Sequence, residues 1–593
     1  MPEYLAPGVY VEETSFRAKS IEGVGTSTTA FAGPTRKGPV SGGEAAPERP
    51  ELLTSFGDFE RIYGGLADLT LDGASVPNYV AHAALAYFNE GGSRLYVGRT
   101  VVASEAADDG GATTAAVTVL DGANAAASVF FNARFAGSAG NGQITVIETV
   151  APASERTMAT APVGTLLRTG AEGAEEHHLK VGTEWRPADD LEEAAAAVAD
   201  LAGATPRIVT LLVTARDADG NEMSWEDLGL DPSHPRGITH VLAAVPNRRA
   251  DHLQNPFAIA VGEDVSAIAL RNALFTGATA NAQGNLQQAW TLAGGSDGTA
   301  PTGPDYANAL WEIANLEDVA IVAAPGSSAY GDEADARGIM NALITHAEGR
   351  RAYRIAVLDT PPGQIPGDVR VLRGQLDSRY AALYYPWVIA PNPNARPGRD
   401  DIGREIALPP SGYVCGIYAR NDVQRGVHKA PANEVVRSAL RFEVDVNFGQ
   451  QELLNPLGVN CLRLLSGRGY RVWGARLISS DPEWKYVSDR RFFNYLEASI
   501  DRGTQWAVFE PNGERLWANV RQTISDFLYN EWRNGALLGS TPEEAYFVRC
   551  DRSTMTQNDL DNGRLICLIG VAIIKPAEFV IFRIGQKTAD ARA

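Results

Sequence analysis

The chain has 593 residues, 45% hydrophobic and 21% charged, with 52 Lys and Arg against 72 Asp and Glu and a net charge of −20. That length exceeds what one hydrophobic core can organise, so about three or four domains are expected. The acidic balance argues against DNA or RNA as the main partner, because phosphate binding needs a basic footprint.

Four cysteines, Cys415, Cys461, Cys550 and Cys567, lie outside metal-ligand spacing and are too sparse for a disulfide scaffold. A reducing cytoplasm fits them. Met1-Pro2-Glu3-Tyr4 opens neither a basic nor an apolar region, so no secretory leader is expected. No run of about 20 uncharged apolar residues is present to span a bilayer.

Residues 1–24 read as an extended arm. A Pro7-Gly8 break precedes alternating Val9, Tyr10, Val11 and Glu12, a strand in need of a partner edge. Over 25–100 the pattern predicts a strand at Thr26–Gly33, a helical turn at Phe56–Gly64, a helix at Asn78–Asn89 stopped by Gly91-Gly92, and a strand at Arg94–Arg99. Residues 101–295 shift to Ala, Gly, Thr and Asp. They are expected to form an inserted, more exposed, β-rich domain, with a strand at Gln143–Ile147 and an Ala-rich helix at Asp190–Ala202.

Over 296–425 strands alternate with helices: Val319–Gly326, Ala334–Glu348, Arg354–Asp359, Gly367–Leu376 and Ala381–Val388. That rhythm predicts a mostly parallel sheet covered on both faces. A last α+β domain is expected over 426–575, with strands near 460–466 and 471–478, helices at 488–501 and 516–534, and a strand at Ala507–Glu510. Apolar strands at Leu565–Lys575 and Phe579–Ile584 end the pattern, the second lying in a terminal arm, 576–593.

Few residues suggest chemistry. There is no Walker loop, no His-Glu-x-x-His and no Gly-x-Ser-x-Gly. His177-His178 reads as a surface pair in an acidic loop, Gly326-Ser327-Ser328 as a strand-to-helix loop, and Asp359 as a helix cap or turn residue at a strand end rather than an α/β active-site acid. The C-terminal region is dense in Trp, Tyr, Phe and Arg, from Arg471 through Trp532. Such a cluster fits a subunit interface and a packed core equally well.

The chain resembles the contractile tail sheath family of phages and phage-like injection particles. Tyr4–Glu13 is similar to the family's N-terminal arm, and Val24–Gly33, Gly38-Pro39-Val40 and Arg134–Gly142 follow its pattern. The C-terminal match is the most specific. It comprises Arg425–Asn433 (with His428 where an aromatic is commoner), Val472–Arg476, Asp489-Arg490-Arg491, Phe509-Glu510-Pro511-Asn512, Leu516-Trp517, Gly535–Gly539 and Pro576–Val580.

The resemblance implies a multidomain α/β and α+β architecture. Its central domain would have a subtilisin-like fold without catalytic residues; Gly25-Thr26-Ser27 spells a protease-like triplet with no triad partners beside it. It further implies hexameric rings stacked around an inner tube, with baseplate and terminal cap proteins as further partners. No nucleic acid, membrane insertion, cofactor, metal or catalytic residue is implied. Such a sheath, assembled in a bacterial cytoplasm, belongs to a phage tail or a tail-like particle and contracts from a metastable extended state to drive the tube through a target envelope.

Within that picture Tyr4, Val9, Tyr10 and Val11, with Phe579, Val580, Ile581 and Phe582, are the candidate inter-subunit arms, completing a neighbour's sheet by strand addition. Ile21–Gly25 would act as a flexible hinge. Arg490, Arg491 and Arg533 are the candidate tube-facing residues. Two rival readings stand beside this one: an α/β hydrolase with a fused β domain, and a tail fibre or spike.

Overall fold

The computed structural model describes residues 20–41, 49–103, 110–171, 173–192, 194–398 and 402–582. Tyr4, Val9, Tyr10 and Val11 and the expected strand around them lie outside these residues. The described chain divides into two units. The larger contains Ser27–Arg420 and Ala432–Ser480; the smaller contains 20–26, Asn421–Pro431 and 481–582.

The larger unit is built on an eight-stranded sheet in the order Glu434–Val435, Gly469–Val472, Val459–Leu465, Ala381–Tyr385, Ile355–Asp359, Ile321–Ala323, Thr29–Gly33, Leu95–Arg99. Six strands, from Val459–Leu465 to Leu95–Arg99, run parallel. Ile355-Ala356-Val357-Leu358-Asp359 and Ala381-Ala382-Leu383-Tyr384-Tyr385 are buried at every position. This explains why they read as continuous apolar runs rather than alternating ones: both faces of the sheet are covered.

The helices Gly303–Ala314 and Glu333–Ala347 supply much of that cover, through Tyr306, Leu310, Ile313, Ile339, Met340 and Leu343. The helix Tyr79–Glu90 starts on Asn78, whose Oδ1 accepts from Ala81 N (3.3 Å), and stops at Gly91, which adopts φ 112°. Its small residues allow a close approach: a Cβ on Gly412 would lie 2.7 Å from Ala83 Cα.

The expected boundary at 425/426 is corrected. Val459–Leu465 and Gly469–Val472 pair into the central sheet, at Leu383↔Val459 and Leu462↔Val472, so this stretch belongs with the larger unit. Strands separated by a long connection join wherever the register buries both faces, and linear order does not reveal it.

Residues 115–292 carry a core of their own, from Val129, Phe131, Ile144, Val146, Leu211 and Val213 to Leu270 and Leu274. The long strands Gln143–Pro152 and Arg207–Arg216 pair antiparallel along their whole length and alternate buried with half-exposed side chains. The Asp190–Ala202 helix is corrected to Val198–Gly203. Ala196 instead forms a β-bridge with Trp185, its N–H reaching the Trp185 carbonyl at 2.8 Å, and that pairing closes a small core around Trp185, Met158, Leu167 and Leu201.

The smaller unit packs the helices Val487–Gly503 and Glu514–Arg533 through Phe492, Leu496, Leu516, Trp517, Val520, Ile524, Phe527 and Leu528. A two-stranded antiparallel ladder, Tyr546–Arg549 with Leu568–Val571, lies beside the second helix. The strand expected at Ala507–Glu510 is instead a short 3₁₀ turn, Gln505–Ala507, followed by Phe509 at φ 68° and fully exposed.

Candidate functional site

The residues weighed for chemistry have structural duties. Asp359 is 6% exposed and accepts from Ser411 N (2.7 Å) and Ser411 Oγ (2.5 Å), so it caps the helix Pro410–Arg425. Burial pushes its carboxyl up to about 7, against the opposing pull of the Ser411 and Gly326 hydrogen bonds. Gly326 turns the chain at φ 75°, and Ser328 Oγ donates to the Thr360 carbonyl. His177-His178 sits on the strand Glu176–Val181 rather than in a loop. His178 is 7% exposed, with Nε2 3.3 Å from Thr169 Oγ1, and burial lowers the pKa of both imidazoles. Among the described residues no three His, Cys, Asp or Glu side chains converge to hold a metal ion, and no helix is long and apolar enough to cross a membrane.

The arginines assigned to the tube face are corrected in part. Arg490 is 2% exposed. It donates to Asn494 Oδ1 and Glu497 Oε1 (both 2.8 Å) and lies 4.3 Å over the Trp484 ring. Arg491 is 3% exposed and pairs with Asp422. The first turns of their helix, Val487–Phe492, are buried at every position, so these two arginines face partners inside the protein. Arg533, at the end of the amphipathic second helix, is exposed.

The expected hinge is also corrected. Ile21 is buried, Val24 N donates to Ser499 Oγ (3.1 Å), and Thr26 Oγ1 donates to Asp422 Oδ2 (2.6 Å). A Cβ on Gly23 would lie 2.1 Å from the Tyr495 hydroxyl, so this glycine serves close packing. The aromatic and arginine cluster is largely core, with Phe492 and Trp517 in its centre. Sequence reasoning quoted Asn512 within a motif but missed its role. Its Oδ1 accepts from Trp517 Nε1 (2.8 Å) and its Nδ2 donates to the Arg564 carbonyl (3.1 Å), which ties the Phe-Glu-Pro-Asn and Leu-Trp segments together.

Two features of the smaller unit lack partners of their own. Among the described residues the Tyr546–Arg549 and Leu568–Val571 ladder has no third strand on either side; Leu537 bridges Ile573 only past its end. Tyr546 and Val548 turn inward, while Phe547, Leu568 and Ile569 are exposed. The chain end is held at Glu578 by Tyr486 Oη (3.0 Å) and Lys485 Nζ (3.5 Å). Beyond it Phe579, Val580, Ile581 and Phe582 are 70, 69, 79 and 82% exposed. They form no strand here.

The phage tail sheath protein central domain matches residues 299–476, and the phage tail sheath C-terminal domain matches 479–587. A putative prophage major tail sheath protein of Pseudomonas aeruginosa is 24% identical over 270 residues, 44% of this chain and 64% of that protein. The tail sheath protein of Enterobacteria phage T4 is 23% identical over 185 residues, 30% of this chain and 26% of its own length. The alignments thus span less than two thirds of either relative.

In fold, the chain is similar to the sheath complex of an extracellular contractile injection system (PVC) in the contracted state, with 19% identity, TM-score 0.52 and 99% of both chains covered. It is similar also to the helical sheath of the anti-feeding prophage in the contracted state, with 22% identity, TM-score 0.51, and 99% of this chain and 100% of that one covered. The chain belongs to the contractile tail sheath family.

Proposed function

We propose that this protein is a sheath subunit that polymerises as stacked hexameric rings around an inner tube, is held in a metastable extended state, and contracts to drive the tube through a target envelope. Baseplate and terminal cap proteins bound the lattice, which is assembled in a bacterial cytoplasm. The work comes from subunit rearrangement rather than from chemistry, and the α/β layer is read as a subtilisin-like fold without a triad.

One observation carries this reading: the smaller unit presents a two-stranded ladder without a third strand among the described residues and, separately, an exposed apolar segment at 579–582. The ladder is steadied on its inner face by the helix Glu514–Arg533, and its strand edges are where further strands can add. The segment 579–582 is apolar, exposed and without a ladder, which suits it to act as a strand donor. A neighbour's segment 576–593, and its arm 1–24, would add to the ladder edges. Each backbone hydrogen bond so formed contributes roughly 0.5–1.5 kcal/mol net. The tube contact is placed on the exposed face of the helix Glu514–Arg533, including Arg533.

Electron microscopy of the overexpressed chain tests this. Hollow striated cylinders are expected from the full chain and none from a chain ending at Pro576. Ordered cylinders from the truncated chain would overturn strand donation.

A further inference from the structure

The open ladder ends on two cysteines. Arg549 stands opposite Leu568 in the antiparallel register, so the next step outward sets Cys550 opposite Cys567. The two thiols lie close enough to shift each other's protonation. Opposed antiparallel residues have Cα atoms about 4.5–5.5 Å apart, within the roughly 4.4–6.8 Å that a disulfide spans.

The backbone on both sides is fixed. Thr554 Oγ1 donates to the Ile566 carbonyl (2.8 Å), and Arg521 Nη1 donates to the Cys550 carbonyl (3.3 Å). Cys550 is buried and Cys567 half-buried, so a small oxidant would meet Cys567 first. The Arg521 charge favours both thiolates, while burial opposes them and pushes Cys567 up to about 12. The pair therefore stays reduced where thiols are maintained. Cys415 and Cys461, fully buried, belong to the larger unit.

We propose that Cys550 and Cys567 are a redox-sensitive pair that closes to an intrachain disulfide on meeting a low-molecular-weight disulfide, stapling the ladder at its end. The Cys567 thiolate attacks one sulfur of the oxidant, forming a mixed disulfide and releasing one thiol. The Cys550 thiolate then attacks Cys567 Sγ and expels the second thiol. Two protein thiols lose two electrons and two protons in all, and the oxidant is reduced to two thiols. The inference does not depend on what the ladder receives.

The test uses the full reduced chain, treated with oxidised glutathione at mildly alkaline pH until its free-thiol content is constant. The remaining thiols are blocked and the protein is digested without reduction. The expected product is one cross-linked pair of peptides containing Cys550 and Cys567, lighter by two hydrogens and released by reductant. Amide exchange in Tyr546–Arg549 and Leu568–Val571 should slow by roughly tenfold or more. Recovery of Cys567 as a glutathione adduct, or as a blocked thiol with Cys550 also blocked, in protein that keeps its fold, overturns the proposal. Because the natural chain is its own reporter, no variant has to fold.

Discussion

Arg491 and Asp422 form a two-point ion pair, with Nη1 2.8 Å from Oδ1 and Nη2 2.6 Å from Oδ2, and both side chains are 3% exposed. The same groups bind the incoming chain: Arg491 Nη2 also donates to the Thr26 carbonyl (3.0 Å), and Thr26 Oγ1 donates to Asp422. Removing one partner leaves an uncompensated buried charge, which typically costs about 3–5 kcal/mol. Arg491→Met and Asp422→Asn are each expected to destabilise the smaller unit on that scale and to raise protease sensitivity around residues 20–26. Unfolding midpoints equal to those of the natural chain would show that the pair is not holding the segment.

Gly23 and Gly25 separate packing from flexibility. At Gly23 a Cβ would press on the Tyr495 ring, whose hydroxyl donates to Glu531 Oε1 (2.9 Å); at Gly25 nothing lies within 4 Å. Gly23→Ala is expected to cost about 1–3 kcal/mol by overpacking, and Gly25→Ala to stay within about 0.5 kcal/mol. Thermal unfolding of the two variants distinguishes the readings, since a hinge would make them alike.

Much of this fold was legible because local pattern and tertiary role coincide. Ile355–Asp359 and Ala381–Tyr385 are apolar throughout because both faces are covered, and Asn78 and Gly91 bracket their helix with ordinary cap chemistry. The failures are non-local. A Gly-x-Gly stretch looks like a hinge until Tyr495 is set against it, and Arg490 and Arg491 look like surface charge until Trp484 and Asp422 are placed beside them. The boundary near 425 was misplaced because Val459–Leu465 finds its partner at Ala381–Tyr385 across a long intervening chain.

Asp359 predicts a pH dependence. Burial raises its folded pKa from 3.8 to about 7, so between those values the folded chain holds a proton that the unfolded chain has released. Its contribution to stability is therefore fully present below about pH 4 and is lost as pH rises toward about 7. The slope is up to about 1.4 kcal/mol per pH unit. Asp359→Asn, which retains one acceptor for Ser411 N, is expected to flatten this decline in urea unfolding measured from pH 4 to 7. A slope unchanged from the natural chain would mean that another group titrates.

Phe579 and Phe582 test strand donation without disturbing the subunit. Both side chains are mostly exposed, so Phe579→Asp with Phe582→Asp should change subunit stability by no more than about 0.5 kcal/mol. Charges on a donated apolar strand must be desolvated on pairing, so cylinders should be absent from micrographs of the double variant. Normal cylinders would remove this segment from the interface.

Arg533 carries the remaining part of the tube-contact proposal. It lies on the exposed side of a helix whose other face, through Trp517, Val520, Ile524 and Phe527, is packed in the core. Reversing its charge leaves those contacts in place, so Arg533→Glu should fold with an unchanged melting temperature. If the tube presents an acidic surface, like charges would then meet across the contact. Extended sheath on tubes should become rare in native particles, while sheath-to-sheath polymers without a tube still form. Because exposed charges are screened, low salt should deepen the defect and high salt relieve part of it. Particles with normal extended sheath at low salt would place the tube contact elsewhere on the smaller unit.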